Sequence, residues 1–128
     1  RTQEEEVFAK LAILVSKVHS IQFKRFGYIG NGCPQYDSFR SFFEDSLDGI
    51  TDYLVEKKVF SDEKILEMKQ KILRVLSEFA DLPPVLCHGD LSSKNVMIQK
   101  NGDVVLIDWD DAIAYNWMAD ISRMTFWM

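Results

Sequence analysis

Three polar residues stand out by type and spacing: Asp90, Asn95 and Asp108, with His88 just upstream. Asp90 and Asn95 lie five positions apart in the polar stretch from His88 to Asn95, and Asp108 closes the apolar run Val104-Val105-Leu106-Ile107. Two carboxylates and an amide in this order suit phosphoryl transfer. That reaction needs a carboxylate to accept the proton of an in-line hydroxyl, and hard oxygen ligands for the ions that bridge the phosphates. On this reading Asp90 is the base, and Asn95 and Asp108 are the metal ligands that hold Mg²⁺ against the nucleotide. A carboxylate at the end of an apolar run is costly unless it is paired or metal-bound, which favours a ligand role for Asp108. His88 supports the loop by hydrogen bonding and packing. Asp110 and Asp111 stay open between second metal ligands, substrate contacts and solvated turn residues.

The elements around these residues follow from local pattern. Val85-Leu86-Cys87 is a short buried run, and His88 to Asn95 is a loop. Val96 to Ile98 and Val104 to Ile107 make a hairpin around Lys100-Asn101-Gly102. Asn-Gly between apolar runs predicts a type I′ turn, with positive φ at both central residues. Upstream, Thr2-Gln3-Glu4-Glu5 is a capping box, and Val7, Leu11, Leu14, Val15 and Val18 recur at helical spacing. A helix over 3–19 is expected, with His19 as a cation at its C-terminal end. Residues 22–36 read as a loop. Its Gly27-Tyr28-Ile29-Gly30-Asn31-Gly32 is no phosphate fingerprint, since it follows a helix and lacks the G-x-G-x-x-G order. A second helix covers 38–58, with Phe39, Phe42, Phe43, Leu47, Ile50 and Leu54 as its apolar stripe, and with Glu44, Asp45, Asp48 and Asp52 on a solvated face or, as the alternative, lining a pocket for a cationic substrate. A third starts at Ser61-Asp62-Glu63, presents Ile65, Met68, Ile72, Leu76 and Phe79 to a core, and ends before Pro83-Pro84. A last helix runs from Met118 to Met128.

Composition sets outer bounds. The 128 residues suffice for one modest core. Net charge is −5, from 15 basic and 20 acidic residues, which argues against a nucleic-acid partner and is compatible with a cationic substrate. No apolar stretch approaches the roughly 18 residues of a membrane span. The two cysteines, Cys33 and Cys87, make neither a metal-ligand spacing nor a disulfide framework, and a reducing, cytoplasmic setting is expected.

The stretch H-G-D-L-S-S-K-N (88–95), together with L-I-D-W-D-D-A (106–112), resembles the aminoglycoside phosphotransferase family, small-molecule kinases of the protein-kinase-like fold. The downstream A-D-I-S (119–122) matches a further family motif, whose Asp, here Asp120, braces the catalytic loop. Where the family often carries Gly-Asp-Pro, this chain has Tyr115-Asn116-Trp117. The resemblance implies an α+β, mainly α fold: the core of a protein-kinase-like C-terminal lobe with a catalytic β-hairpin, lacking the N-terminal β-rich lobe. It would be one partial domain over 1–128, with a helical part (1–82), the catalytic loop and hairpin (83–111), and the start of a C-terminal helical region (112–128). The implied function is transfer of a phosphoryl group from ATP (or GTP), with Mg²⁺, to a hydroxyl of a small molecule, aminoglycoside-like or related. A chain cut at both ends is expected to be a poor catalyst alone. Its apolar ending, Phe126-Trp127-Met128, points to self-association and to a second reading, a non-catalytic binding or dimerising module. A third reading takes Val-Val-Leu-Ile-Asp-Trp-Asp as the opening motif of a haloacid-dehalogenase-type phosphatase. It leaves His88, Asp90 and Asn95 without a role.

Overall fold

A computed structural model of the chain describes residues 2–30, 34–79 and 81–127. The expectations placed on Asn31, Gly32 and Cys33, and on the side chains of Phe126, Trp127 and Met128, lie outside the described set. The described residues form a mixed, mainly helical fold with two small sheets. They group into two compact units, Arg1–Gln35 with Pro83–Met128, and Tyr36–Leu82.

The first unit begins with α1 (Gln3–His19). Its capping box is complete: Thr2 Oγ1 accepts the Glu5 N–H at 3.2 Å and the Glu5 carboxylate accepts the Thr2 N–H at 2.9 Å, so two otherwise orphaned donors are satisfied. Leu11 and Val15, four apart, are its buried face. The strands β1 (Gly27–Tyr28), β2 (Val85–Cys87) and β5 (Ile113–Tyr115) form an antiparallel sheet in the order β1-β5-β2. Ala114 sits at its centre, opposite Gly27 on one side and Leu86 on the other. Part of the stretch expected to be loop is therefore strand. Its backbone groups find their partners some 87 positions away in sequence, and no local pattern announces such pairing.

The expected hairpin forms from β3 (Val96–Ile98) and β4 (Val104–Leu106), with Val96 opposite Leu106. Its turn is not type I′. Gly102 has φ +81°, whereas Asn101 has no positive φ. The Gly102 N–H reaches the Gln99 carbonyl at 2.8 Å and the Gln99 N–H reaches the Asp103 carbonyl at 2.8 Å, so the loop has three residues and one left-handed position. Asn101 serves locally instead, its Oδ1 accepting the Asp103 N–H at 3.1 Å. The helix α4 (Met118–Trp127) closes the unit. Asn116 starts it: Oδ1 accepts the Met118 N–H at 3.0 Å and the carbonyl accepts the Ala119 N–H at 3.0 Å.

One apolar cluster joins these elements. Leu11 and Val15 of α1, Leu91 and Leu106 of β4 are buried together, flanked by Leu14, Val96, Val104, Ile121 and Met124. Leu91 has no exposed surface. It is the apolar peg of an otherwise polar loop, and burying it contributes about 1.5–3 kcal/mol.

The second unit contains α2 (Phe39–Glu56) and α3 (Asp62–Leu76), capped by the hydroxyls of Ser38 and Ser61. Phe39, Phe42 and Leu47 of the expected α2 stripe are buried, but Ile50 is exposed. On α3 only Ile65 is buried, and Met68 and Ile72 remain 37% exposed. A helical stripe is covered only where another element meets it, so periodicity overstated this core. Three of the α2 carboxylates are engaged within this unit: Glu44 with Arg40, Asp48 with Lys69, and Asp45 with Tyr36. Among the described residues no helix is long and apolar enough to cross a membrane.

Candidate active site

The loop from His88 to Asn95 is built on Asp120. This carboxylate is 2% exposed. Its Oδ2 accepts the His88 backbone N–H at 2.8 Å and its Oδ1 accepts the Gly89 N–H at 3.0 Å. His19, at the end of α1, adds its Nε2 to Oδ2 at 2.9 Å. Three N–H donors around one buried carboxylate offset the cost of burying its charge. His19 is thus more than a helix-end cation. Its partner lies 101 residues away, and nothing in the local sequence pointed to it.

Gly89 is required by geometry. Its φ is +83°, and a Cβ there would stand 1.9 Å from the Asp111 carbonyl oxygen. Asp111 therefore meets the loop through its backbone, while its side chain is exposed like that of Asp110. Among the described residues neither side chain makes a hydrogen bond or ion pair.

His88 ties the loop to the hairpin. Its Nε2 donates to the Ile107 carbonyl at 2.8 Å, while its Nδ1 accepts the Asp90 N–H at 3.3 Å. A carbonyl can only accept, so these two bonds select the tautomer protonated on Nε2. The ring also packs on Trp109, with centroids 4.6 Å apart. Both ring nitrogens are occupied, which leaves the imidazole a structural brace.

Asp90 and Asn95 are brought together. Both are buried, and Asn95 Nδ2 donates to the Asp90 carbonyl at 2.9 Å and to Oδ2 at 3.0 Å. Two cations complete the surroundings of Asp90. Lys94 Nζ lies 3.0 Å from Oδ2, and Arg123 of α4 places Nε and Nη2 3.0 and 2.9 Å from Oδ1. The Lys94 ammonium, and after it the Arg123 guanidinium, hold the Asp90 carboxyl below the usual carboxylate range against the opposing effect of burial. By sequence Lys94, beside Asn95, reads as an exposed lysine with a phosphate contact as the alternative, and Arg123 carries no assigned role. The available signal was spacing: Arg123 stands three residues after Asp120 on one helix, so the two share a face. Ser92 is also buried here, and its hydroxyl is the one buried side-chain polar atom without a partner among the described residues.

Asp108 departs from the expectation that placed it in a costly buried position. The strand ends at Leu106, and Asp108 is exposed, with its carboxylate in no hydrogen bond or ion pair among the described residues. Its φ of +63° is unusual for a residue with a Cβ. The flanking residues hold it there. Ile107 donates its N–H to the Asn95 carbonyl at 3.0 Å, and Trp109 Nε1 donates to the Leu106 carbonyl at 3.1 Å. The Ile107–Asn95 bond brings Asp108 within one residue of Asn95. The amide nitrogen of Asn95 is spent on Asp90, and the Asn95 side-chain oxygen and the Asp108 carboxylate are hard-oxygen donors of the type that Mg²⁺ takes.

A second donor cluster lies behind the loop. His19 Nε2, Cys87 Sγ and an Asp120 oxygen are all within 4.8 Å of one another. Burial, and then the charge of Asp120, push the Cys87 thiol up to about 12, so it meets its neighbours as S–H. Its contacts are the carbonyls of Asn116 at 3.5 Å and Tyr115 at 3.7 Å.

A buried carboxylate hydrogen-bonded to an amide, on a loop whose backbone is bonded to the residue before a second, exposed carboxylate, offers the residue types that phosphoryl transfer uses. The chain belongs to the phosphotransferase enzyme family, whose model matches residues 1–128. It is 28% identical over 117 residues to human ethanolamine kinase 1, covering 88% of this chain and 25% of that protein. It is 36% identical over 53 residues to the RIO-type serine/threonine-protein kinase Rio2 of Methanocaldococcus jannaschii, covering 41% of this chain and 19% of that one. The chain thus spans about a quarter or less of these relatives. A solved structure from Thermobifida fusca YX-ER1, provisionally assigned as a fructosamine-3-kinase, matches with a TM-score of 0.70 at 20% identity, over 98% of this chain and 46% of that one. That likeness shows that the chain shares the fold of just under half of that structure.

Proposed function

We propose that the chain carries the phosphoryl-transfer centre of a kinase that uses ATP (or GTP) and Mg²⁺ to phosphorylate a hydroxyl of a small molecule. The observation that carries this is the junction of Asp90, Asn95 and Asp108, made by the bonds from Asn95 to Asp90 and from Ile107 to Asn95. Asp90 accepts the proton of the acceptor hydroxyl as its oxygen forms a bond to the terminal phosphorus. The bond from that phosphorus to the bridging oxygen breaks, and the nucleoside diphosphate leaves with the electron pair. Asn95 fixes the Asp90 carboxylate with its nitrogen and offers its oxygen, together with Asp108, to the metal. When bound, the metal supplies positive charge to the phosphates. His88 and Asp120 keep the loop in register and take no proton.

The acceptor class is suggested by the two small-molecule kinases among the relatives. Ethanolamine and fructosamine, like the aminoglycosides that the motif resemblance implies, carry an amine near a hydroxyl. The exposed carboxylates of Asp108, Asp110 and Asp111 and the net charge of −5 suit such cations. The test is an ATP-dependent phosphorylation assay of the protein carrying this sequence against ethanolamine, choline, homoserine, fructosamine and an aminoglycoside panel. Asp90→Ala should lower turnover by about 10²–10⁴, the contribution of a positioned base. Full activity in Asp90→Ala, or an aspartyl-phosphate trapped at Asp108, would overturn the reading.

A further inference from the structure

Asp90 is surrounded by more donors than a base at rest requires. Two nitrogens of Arg123 meet Oδ1, and Lys94 and Asn95 meet Oδ2. A carboxylate offers about four acceptor positions, and these four contacts occupy them, so none is left for an acceptor hydroxyl. Asn95 cannot yield its place, because it is 4% exposed and also bound to the Asp90 carbonyl. The cations can. The side chains of Arg123 and Lys94 are 46% and 70% exposed, so either can swing away without opening the core. They come from separate elements, α4 and the loop itself, and so converge on the carboxylate from two sides. A cation gives up a carboxylate at low cost only when another anion is offered, and the planar guanidinium fork matches phosphate oxygens as well as it matches carboxylate.

We propose that Arg123, with Lys94 beside it, is a phosphoryl ligand held in reserve: without nucleotide the pair covers Asp90, and the terminal phosphate draws both cations off and clears Asp90 for the acceptor. The inference rests on the kinase reading above and adds to it a phosphate-contact residue on α4 and an order of events. The nucleotide arrives first and uncovers the base. A purely structural role for Arg123, pinning α4 to the loop, predicts no preference for the terminal phosphate.

Calorimetric titration of Mg²⁺-ATP and Mg²⁺-ADP into the protein carrying this sequence separates the two. Arg123→Gln should weaken Mg²⁺-ATP binding about tenfold or more, the loss of one charge-assisted bond, and leave Mg²⁺-ADP affinity within about twofold. Lys94→Gln should show the same selectivity with a smaller loss, and Arg123→Lys should recover part of the ATP affinity. Should Arg123→Gln fail to fold, Arg123→Lys and Lys94→Gln carry the test. If the parent binds Mg²⁺-ATP and these variants bind it equally well, or lose ATP and ADP affinity alike, the inference falls and the kinase reading stands. If the parent binds no nucleotide, the kinase reading itself falls, and this inference with it.

Discussion

The carboxylate of Asp120 accepts the backbone N–H of His88 at 2.8 Å across 32 positions of sequence. The bond joins the start of the polar loop to the first turn of α4. Through the other ring and backbone contacts of His88 it reaches Asp90 on one side and the residue before Asp108 on the other. The geometry of the whole site thus depends on one buried carboxylate that makes no contact with the Asp90 or Asp108 side chains.

Asp120→Asn tests that dependence. The substitution removes the charge and turns one oxygen into an NH₂ that faces N–H donors from His88, Gly89 or His19. The expected loss is about 2–4 kcal/mol, from weakened charge-assisted bonds and a donor facing a donor. His19→Ala removes only one of the three donors and should cost about 1–2 kcal/mol. Urea unfolding of the two variants should give that order. Equal and small losses would show that the brace contributes little.

Two glycines that look alike in sequence should behave oppositely. Gly89→Ala combines a left-handed φ with a Cβ 1.9 Å from the Asp111 carbonyl oxygen, and should cost about 3 kcal/mol or more. Gly49 lies inside α2, and a methyl group added there would meet nothing within 4 Å. Gly49→Ala should therefore stabilise by about 0.5–1 kcal/mol. Thermal melts of both variants check the contrast. A Gly89→Ala protein as stable as the parent would mean that the loop and the Asp111 backbone separate readily.

The helices were legible because they satisfy local rules. The Thr2 capping box and the Leu11–Val15 spacing place α1 at Gln3–His19, and Asn-Gly between apolar runs locates the hairpin, though not its turn type. The kinase-like motif brought Asp90 and Asn95 into view, and the structure bonds them directly. What escaped was set by pairing at long range. The strand Gly27–Tyr28 exists only because Ile113 and Ala114 lie beside it. Arg123 acquires a partner only when α4 is laid against the loop. The exposure of Asp108 depends on the chain leaving the ladder after Leu106, one residue earlier than the apolar run suggested.

The depressed Asp90 carboxyl gives a pH prediction with a definite sign. A carboxyl whose folded value lies below its unfolded value contributes stability above the unfolded value, about 3.9, and that contribution is lost as pH falls through the folded value. Lys94 is the main cause of the depression and Arg123 the next. Lys94→Gln should raise the folded value toward the ordinary one, so the contribution becomes smaller and its loss is complete at a higher pH. An NMR titration of the Asp90 carboxyl carbon in parent and variant reads this directly. An unchanged midpoint would show that the ammonium does not rest on Oδ2 in solution.

Cys87 offers a reporter of the same region from behind. Its thiol has no exposed surface, and burial followed by the Asp120 charge pushes it up to about 12. The thiolate is the reactive form, so in a Cys33→Ser background Cys87 should resist iodoacetamide at neutral pH and label only as fast as the chain opens. The sign for stability is opposite to that of Asp90. A thiol raised in the folded state favours folding below its unfolded value, about 8.5, and that contribution is lost as pH rises from there toward the folded value. Asp120→Asn removes the second cause and should lower the thiol while loosening the loop, so labelling should accelerate on both counts. Labelling of the parent as fast as that of a free thiol in denaturant would mean that β2 is open in solution and that the brace behind His88 does not form.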